Sequence, residues 1–275
     1  MKIAIIADIH HDVSPGSAFD VRPVVEAFVD RANGTAVDLL IDLGDRIDDV
    51  DRNTDFAAAA DLADIFSRFR GPRVHLLGNH DVVNLTSDDH HRLFGQQPTH
   101  QVLDLDDARV IVWQPSVRFD RKLGFPPAAP DLDWLLDSLN ADHRPAIVAT
   151  HIPVSGASMA GNYYFENNSD FATYPDHARI RRAVEETGRA SLWMAGHVHW
   201  NSFAAIGGVR HLTIQSPSER FTTNPDPACT FAEISSTGDT ARLEIFGRDR
   251  LAIDLPFGAS GAQSWLPPRP RVERS

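Results

Sequence analysis

Ile3-Ala4-Ile5-Ile6-Ala7-Asp8-Ile9-His10, near the start of this chain of 275 residues, sets an unbroken apolar run directly against two metal-binding side chains. Consecutive apolar residues without polar alternation read as a strand buried on both faces, as in parallel α/β sheets. The pattern returns. Leu39 to Leu43 precedes Gly44-Asp45-Arg46-Ile47-Asp48, and Val74 to Leu77 precedes Gly78-Asn79-His80-Asp81. These clusters begin about 35 residues apart, the pitch of repeated strand-helix-strand units. Later, Ala146 to Thr150 leads to His151, and Ser191 to Ala195 leads to Gly196-His197-Val198-His199. All five runs are predicted to be buried parallel strands whose ligand-bearing ends converge on one sheet edge.

Spacing within the clusters supports convergence. On an extended segment residues i and i+2 project to the same side, so Asp8 with His10, and His197 with His199, are expected to act as pincers. Glycines 44, 78 and 196 are expected to turn the backbone sharply, a conformation that a residue without Cβ adopts freely. Asp88-Asp89-His90 and Asp89-His90-His91 have similar letters but follow no strand-like run, and are read as a solvated helix start or loop.

Helical periodicity appears at Phe19 to Ala32, Asp55 to Phe69, Asp131 to Asn140 and Pro175 to Thr187. Shorter runs at Gln101 to Leu105, Arg109 to Trp113, Phe203 to Ile206, Arg210 to Ile214, Thr230 to Ile234 and Ala241 to Phe246 are expected to build a second, more antiparallel sheet. One domain over residues 1–255 accounts for these elements, with a Pro/Arg-rich tail at 256–275.

Composition narrows the function. A hydrophobic content of 42% supports a large core, and the single Cys229 excludes an internal disulfide. No apolar stretch reaches the roughly 18 residues that a membrane span requires. The amino terminus reads as a strand ending in a ligand rather than a signal peptide, so a cytoplasmic protein without membrane partners is expected. A net charge of −12 without a Lys/Arg stripe disfavours long nucleic acids.

The five clusters, in this order, resemble the calcineurin-like metallophosphoesterase superfamily, and in length and motif set its compact bacterial class III cyclic nucleotide phosphodiesterases. The resemblance spans residues 8 to 199. It implies a four-layer αββα sandwich, two mixed β-sheets flanked by helices, with a binuclear metal centre at the sheet edge. By position it puts Asp8, His10, Asp45 and His199 on one metal and Asp45, Asn79, His151 and His197 on the other, with Asp45 bridging. Imidazoles mixed with carboxylate and amide oxygen suit two divalent ions among Mn, Fe, Zn and Co, with Mn or Fe foremost. A hydroxide between the metals would be the nucleophile.

His80, beside the amide ligand, is the candidate acid, with Asp81 expected to orient it through its other ring nitrogen. Asp48 is expected to cap backbone amides of its loop. His11, Asp12 and Arg46 lie close enough to the clusters to touch substrate; otherwise they are solvated loop residues. The Gly/Asn/Ser-rich stretch Ser155 to Tyr174 holds Met159, Tyr163, Tyr164, Phe165, Phe171 and Tyr174. Its rings either stack a nucleobase, with Tyr163 and Tyr164 as candidates, or pack the loop down or against a second copy in a homodimer.

The expected activity is hydrolysis of small phosphodiesters such as cyclic nucleotides. The alternatives are a phosphomonoesterase, a nucleotidase or sugar phosphatase using the same metals, and a noncatalytic scaffold. A scaffold has no need of an acid beside the metals, which argues against the third. After Asp48 comes Asp49-Val50, which departs from the Asp-Arg-Gly pattern of the superfamily's protein phosphatases.

Overall fold

The computed structural model describes residues 1–258, and the tail from 259 onward lies outside the described residues. Strands β1 (Lys2–Ile6), β2 (Leu39–Asp42), β3 (Arg73–His75), β4 (Gln101–Asp104), β5 (Arg109–Val112), β6 (Ala146–Ala149), β7 (Ala190–Ala195), β8 (Ser202–Ile206), β9 (Val209–Thr213), β10 (Phe231–Thr237), β11 (Thr240–Phe246) and β12 (Leu251–Pro256) form two six-stranded sheets. Helices α1 (Arg22–Gly34), α2 (Arg52–Ser67), α3 (Ser87–Phe94), α4 (Leu132–Asn140) and α5 (His177–Thr187) complete the fold.

The first sheet has the order β12-β11-β10-β1-β2-β3, and the second β4-β5-β6-β7-β9-β8. Both are mixed. β1 is parallel to β2, with Ile3 opposite Leu39, and antiparallel to β10, with Lys2 opposite Ser235. In the second sheet β5, β6, β7 and β9 run parallel, with β4 and β8 added antiparallel at the edges.

Period-two alternation on apolar strands builds the layers. Ile3, Ile5, Leu39 and Ile41 meet Val110, Val112, Ile147 and Met194 in a core between the sheets. The intervening Ala4, Ile6 and Leu40 face Val25, Phe28, Leu62 and Phe66 of α1 and α2. Ile111, Val148 and Trp193 face Leu135, Leu139, Ile180 and Val184 of α4 and α5. A strand covered on both faces has no polar face to show, which is why these runs look uninterrupted in sequence.

Several expectations change. The five ligand-bearing strands divide between the sheets, β1 to β3 in one and β6 and β7 in the other. Residues 230–246 join the first sheet, because β10 pairs with β1 and turns Ala232 and Ile234 into the core between the sheets. Alternation marks a strand but does not name its sheet. α1 starts at Arg22, with Pro23 in its first turn, and α2 starts at Arg52 because Asp51 caps the amides of Asn53 and Thr54.

α3 does begin at the Asp-rich decoy, but it is not solvated: Asp89 closes a capping box with Thr86 and is buried, as is His90. β12 went unseen because it is an edge strand with one buried residue, Leu255. Phe257 is buried in the core between the sheets, so the domain runs past 255 and the tail begins later than expected. Among the described residues no helix is long and apolar enough to cross a membrane.

Candidate metal centre

The carboxyl ends of β1, β2, β6 and β7 meet at one end of the sandwich, knitted by backbone hydrogen bonds between their loops. The Asp8 amide donates to Gly44 O (2.9 Å), His10 N to Asp45 O (3.1 Å) and Gly196 N to His151 O (3.0 Å). Turning is done by the donor residues themselves. Asp8, His10, Asp45, His197 and His199 all have positive φ, between 49° and 68°. Each left-handed residue costs about 1–2 kcal/mol, and such strain gathers at functional sites.

The glycines divide the work differently than expected. Gly44 turns, at φ 101°. Gly78 and Gly196 instead allow close approach: a Cβ on Gly78 would strike the Asp45 carboxylate, and one on Gly196 the Asp8 carboxylate.

Two donor sets share one residue. Ligand atoms of Asp8, His10, Asp45 and His199 lie within 4.8 Å of one another, as do those of Asp45, His151 and His197. Asn79 joins the second set, its Oδ1 being 3.3 Å from His151 Nε2, which is itself 3.2 Å from Asp45 Oδ2. The structure therefore brings together all seven side chains expected to bind metal.

Each imidazole is held from behind. His10 Nδ1 faces Asp48 Oδ1 (2.6 Å), His199 Nδ1 faces Glu219 Oε1 (3.1 Å), His151 Nδ1 donates to Leu43 O (2.9 Å) and His197 Nε2 donates to Phe171 O (2.9 Å). These partners fix the tautomers and leave a lone pair on the other nitrogen. The consequence is a test of metal fit. With both Nδ1 atoms turned to carboxylates, His10 Nε2 and His199 Nε2 point acceptors at each other across 3.0 Å. His151 Nε2, Asp45 Oδ2 and Asn79 Oδ1 are likewise three acceptors facing one another. Such clusters are stable only around cations or protons, and mixed nitrogen and oxygen donors suit divalent transition metals.

The electrostatics agree. Burial opposes charging of His10, but its hydrogen bond to Asp48 and the charges of Asp45, Asp48 and Asp8 raise it to about 9. Burial likewise opposes charging of His151, and Asp45 above all raises it to about 9. Burial favours a neutral Asp45, yet His151, His80 and His10 hold it well below the carboxylate range. Burial raises Asp8, against the pull of His199 and His151. Burial and the neighbouring His151 depress His197 to about 3, so it stays a neutral donor. Without metal, protons occupy the places that the donors prepare for cations.

Behind the site lies a staple. Asp81 is fully buried and accepts from the amides of Asp45 (2.9 Å), Arg46 (3.1 Å) and Gly78 (2.8 Å), tying the β2 and β3 loops together. It does not orient His80. That partner is Asp49, whose Oδ1 sits 3.0 Å from His80 Nδ1. Asp48, expected to cap amides, instead backs His10.

Arg46 and His11 are corrected too. Both are buried: Arg46 donates to Asp42 Oδ2 (2.7 Å) and Leu76 O (2.6 Å), and His11 Nε2 faces Asp61. They brace the loops from beneath and do not line the cleft over the donor sets. Asp12 accepts the amide of Ser14 (2.8 Å) in a local turn.

A cleft of about 970 Å³ opens over the centre, lined by Asp45, Asn79, His80, His197 and His199. The loop following β6 forms one lip, and its rings split between the two expectations. Phe165 and Phe171 pack inward with Met159 and Val198, and Phe165 lies 5.1 Å from the His197 ring. Asn162 pins this loop by donating to Val198 O (2.9 Å). Tyr163 and Tyr164 stay outside, 81% and 50% exposed, and line the cleft.

Asp49, Glu219 and Phe221, the last lining the cleft and stacked on Tyr163, were missed in sequence. Asp49 adjoined a recognised cluster, whereas Glu219 and Phe221 lie in a loop that carries no motif.

A family model described as calcineurin-like phosphoesterase matches residues 1–201. No curated protein matches the chain in sequence. Among solved structures, a dimetal phosphatase from Danio rerio is 15% identical and covers 94% of this chain and 99% of its own, with a TM-score of 0.72. A purple acid phosphatase from yellow lupin seeds is 12% identical over 93% of this chain and 53% of its own, with a TM-score of 0.69. GAP50, described as the anchor in the inner membrane complex of Plasmodium, is 13% identical over 94% and 89%, with a TM-score of 0.64. At such identities the likeness is one of fold.

Proposed function

Because the chain belongs to the calcineurin-like phosphoesterase family, we propose that it is a binuclear metal-dependent phosphodiesterase acting on small phosphodiesters such as cyclic nucleotides. The observation that carries this reading is the pair of acceptor clusters meeting at Asp45, with His80 beside them on the cleft. Asp8, His10, Asp45 and His199 would hold one divalent ion, and Asp45, Asn79, His151 and His197 the other. Bound divalent ions supply Lewis acidity, activating water near neutral pH and carrying phosphoryl charge.

The chain's own residues do the rest. Asp48, Glu219, the Leu43 carbonyl and the Phe171 carbonyl hold the four imidazoles in place before substrate arrives, so no reorganisation is needed on binding. His80 is the group placed to give a proton to the departing oxygen. Asp49 Oδ1 sits against its Nδ1 and orients the ring, so Nε2 would be the nitrogen that delivers the proton. A spacious cleft walled by Tyr163 and Tyr164 has room for substituents on both sides of a phosphorus, which supports a diester, and for a planar base. GAP50, described as an anchor, has a similar fold, but a noncatalytic role would leave the donor set and the His80–Asp49 pair without purpose.

The test is an assay of the manganese-loaded protein on bis(p-nitrophenyl) phosphate, p-nitrophenyl phosphate, and 2′,3′- and 3′,5′-cyclic nucleotides. The reading expects the diesters to show the highest kcat/KM. Preference for p-nitrophenyl phosphate would establish the phosphomonoesterase alternative, and hydrolysis of none would remove the enzyme.

A further inference from the structure

The cleft has a second lip, between β5 and α4, whose chemistry the proposed hydrolysis does not use. Its sequence is Val117-Arg118-Phe119-Asp120-Arg121. Phe119 anchors it, lying 5.0 Å from Phe125 and 5.0 Å edge-on to Phe171, the residue whose carbonyl holds His197. Asp120 and Gly124 close the turn through reciprocal backbone hydrogen bonds of 3.0 and 2.8 Å, and Asp120 Oδ1 accepts the amides of Lys122 and Leu123. The anchor and the turn fix where the loop presents its two arginines.

Arg118 and Arg121 both line the cleft and are exposed, and among the described residues neither guanidinium has a hydrogen-bond or ion-pair partner. Each lining carboxylate already has another partner. Asp45 belongs to the donor sets, Asp49 is held by His80, and Glu219 by His199. In a chain of net charge −12, two uncompensated guanidiniums beside a phosphoester centre attract anions selectively. Among the described residues neither guanidinium is hydrogen-bonded or ion-paired to a donor residue, which leaves both free for an anionic group other than the scissile phosphoryl. Guanidinium forks match phosphate or carboxylate oxygens in pairs.

We propose that Arg118 and Arg121 form a second anion subsite, so that the preferred substrates are phosphoesters carrying another anionic group, a phosphate or a carboxylate, away from the bond that breaks. This rests on the phosphodiesterase reading. Two matched diesters test it: thymidine 5′-(p-nitrophenyl phosphate), and the same compound bearing a 3′-phosphate.

The subsite predicts a KM about tenfold lower for the phosphorylated ester, equivalent to about 1.4 kcal/mol. The preference should weaken with salt, as rim charges do. In Arg118→Ala/Arg121→Ala the ratio of the two KM values should fall to about one, and Arg118→Lys/Arg121→Lys should restore part of it.

Calorimetric titration with thymidine 3′,5′-bisphosphate and thymidine 5′-monophosphate reads the same difference without turnover. If neither ester is hydrolysed yet the bisphosphate binds more tightly to the wild type only, the phosphodiesterase reading fails and the subsite stands. An equal KM or Kd ratio in wild type and double variant overturns the subsite.

Discussion

Replacing Asp81 separates two roles that sequence alone merged. Asp81 was expected to orient His80, yet its carboxylate accepts three buried backbone amides, from Asp45, Arg46 and Gly78, and lies 3.4 Å from the Arg46 guanidinium. A buried donor left without its acceptor costs about 1–3 kcal/mol, so removing the carboxylate in Asp81→Ala is expected to cost about 3–9 kcal/mol. That is comparable to the whole stability of a domain, about 5–15 kcal/mol, and the Ala variant is expected to fold poorly or not at all.

Asp81→Asn keeps one acceptor oxygen and places an NH₂ against an N–H, an expected loss of about 2–4 kcal/mol. For a chain of this size about 2–4 °C of Tm accompanies each kcal/mol, so the Asn variant should melt about 4–16 °C below wild type. Calorimetric melting in excess chelator is the assay, because bound metal would otherwise add its own stabilisation. A Tm within 1 °C of wild type, with only turnover reduced, would refute the staple and return Asp81 to His80.

The other expectations concern the centre and the core. Asp49→Asn should lower kcat by about tenfold, and His80→Ala by about 10² to 10⁴, with metal content and Tm near wild type, because an exposed ion pair contributes about 0–1 kcal/mol to stability; wild-type kcat in either variant would contradict the assignment. Asn79→Ala should hold about one ion per chain instead of two by elemental analysis, and unchanged content would remove Asn79 from the donor set.

Burial first, and then Arg181, depress His211 to about 3, and neither of its ring nitrogens has a partner. The unfolded chain binds a proton near pH 6.5 that the folded chain refuses down to about 3, so stability is full above that range. His211 alone should withdraw about 1.4 kcal/mol of stability per pH unit as pH drops from 6.5 towards 3. His211→Phe should remove that contribution from the pH slope in urea melts, and an unchanged slope would show that the ring does not titrate.

The strands and the donor residues were legible because each lies in a local pattern. Five apolar runs ended in Asp, Asn or His, and the physics of a doubly covered strand and of metal-binding side chains leaves few other readings. What failed to show was long-range. Alternation at Thr230 to Ile234 identified a strand but could not say that Ala232 pairs with Ile5 of the first sheet.

The second shell was less legible still, since it depends on which carboxylate reaches which ring. Asp48, Asp49 and Asp81 were equally near the clusters in sequence, and only folding sends them to His10, to His80 and to three backbone amides. Arg46 looked like a substrate contact because it adjoins Asp45, yet a left-handed turn at Asp45 (φ 54°) points the chain so that the guanidinium lies beneath the loop. Glu219 offered no signal, since it meets His199 from a loop without a motif.

Anomalous diffraction at the manganese edge, from crystals grown without chelator and soaked in the ion, tests the central claim most directly. Two peaks per chain are expected, one among Asp8, His10, Asp45 and His199 and the other among Asp45, Asn79, His151 and His197, with the Asp45 carboxylate touching both. A single ion, no ion, or ions bound elsewhere on the surface would contradict the account.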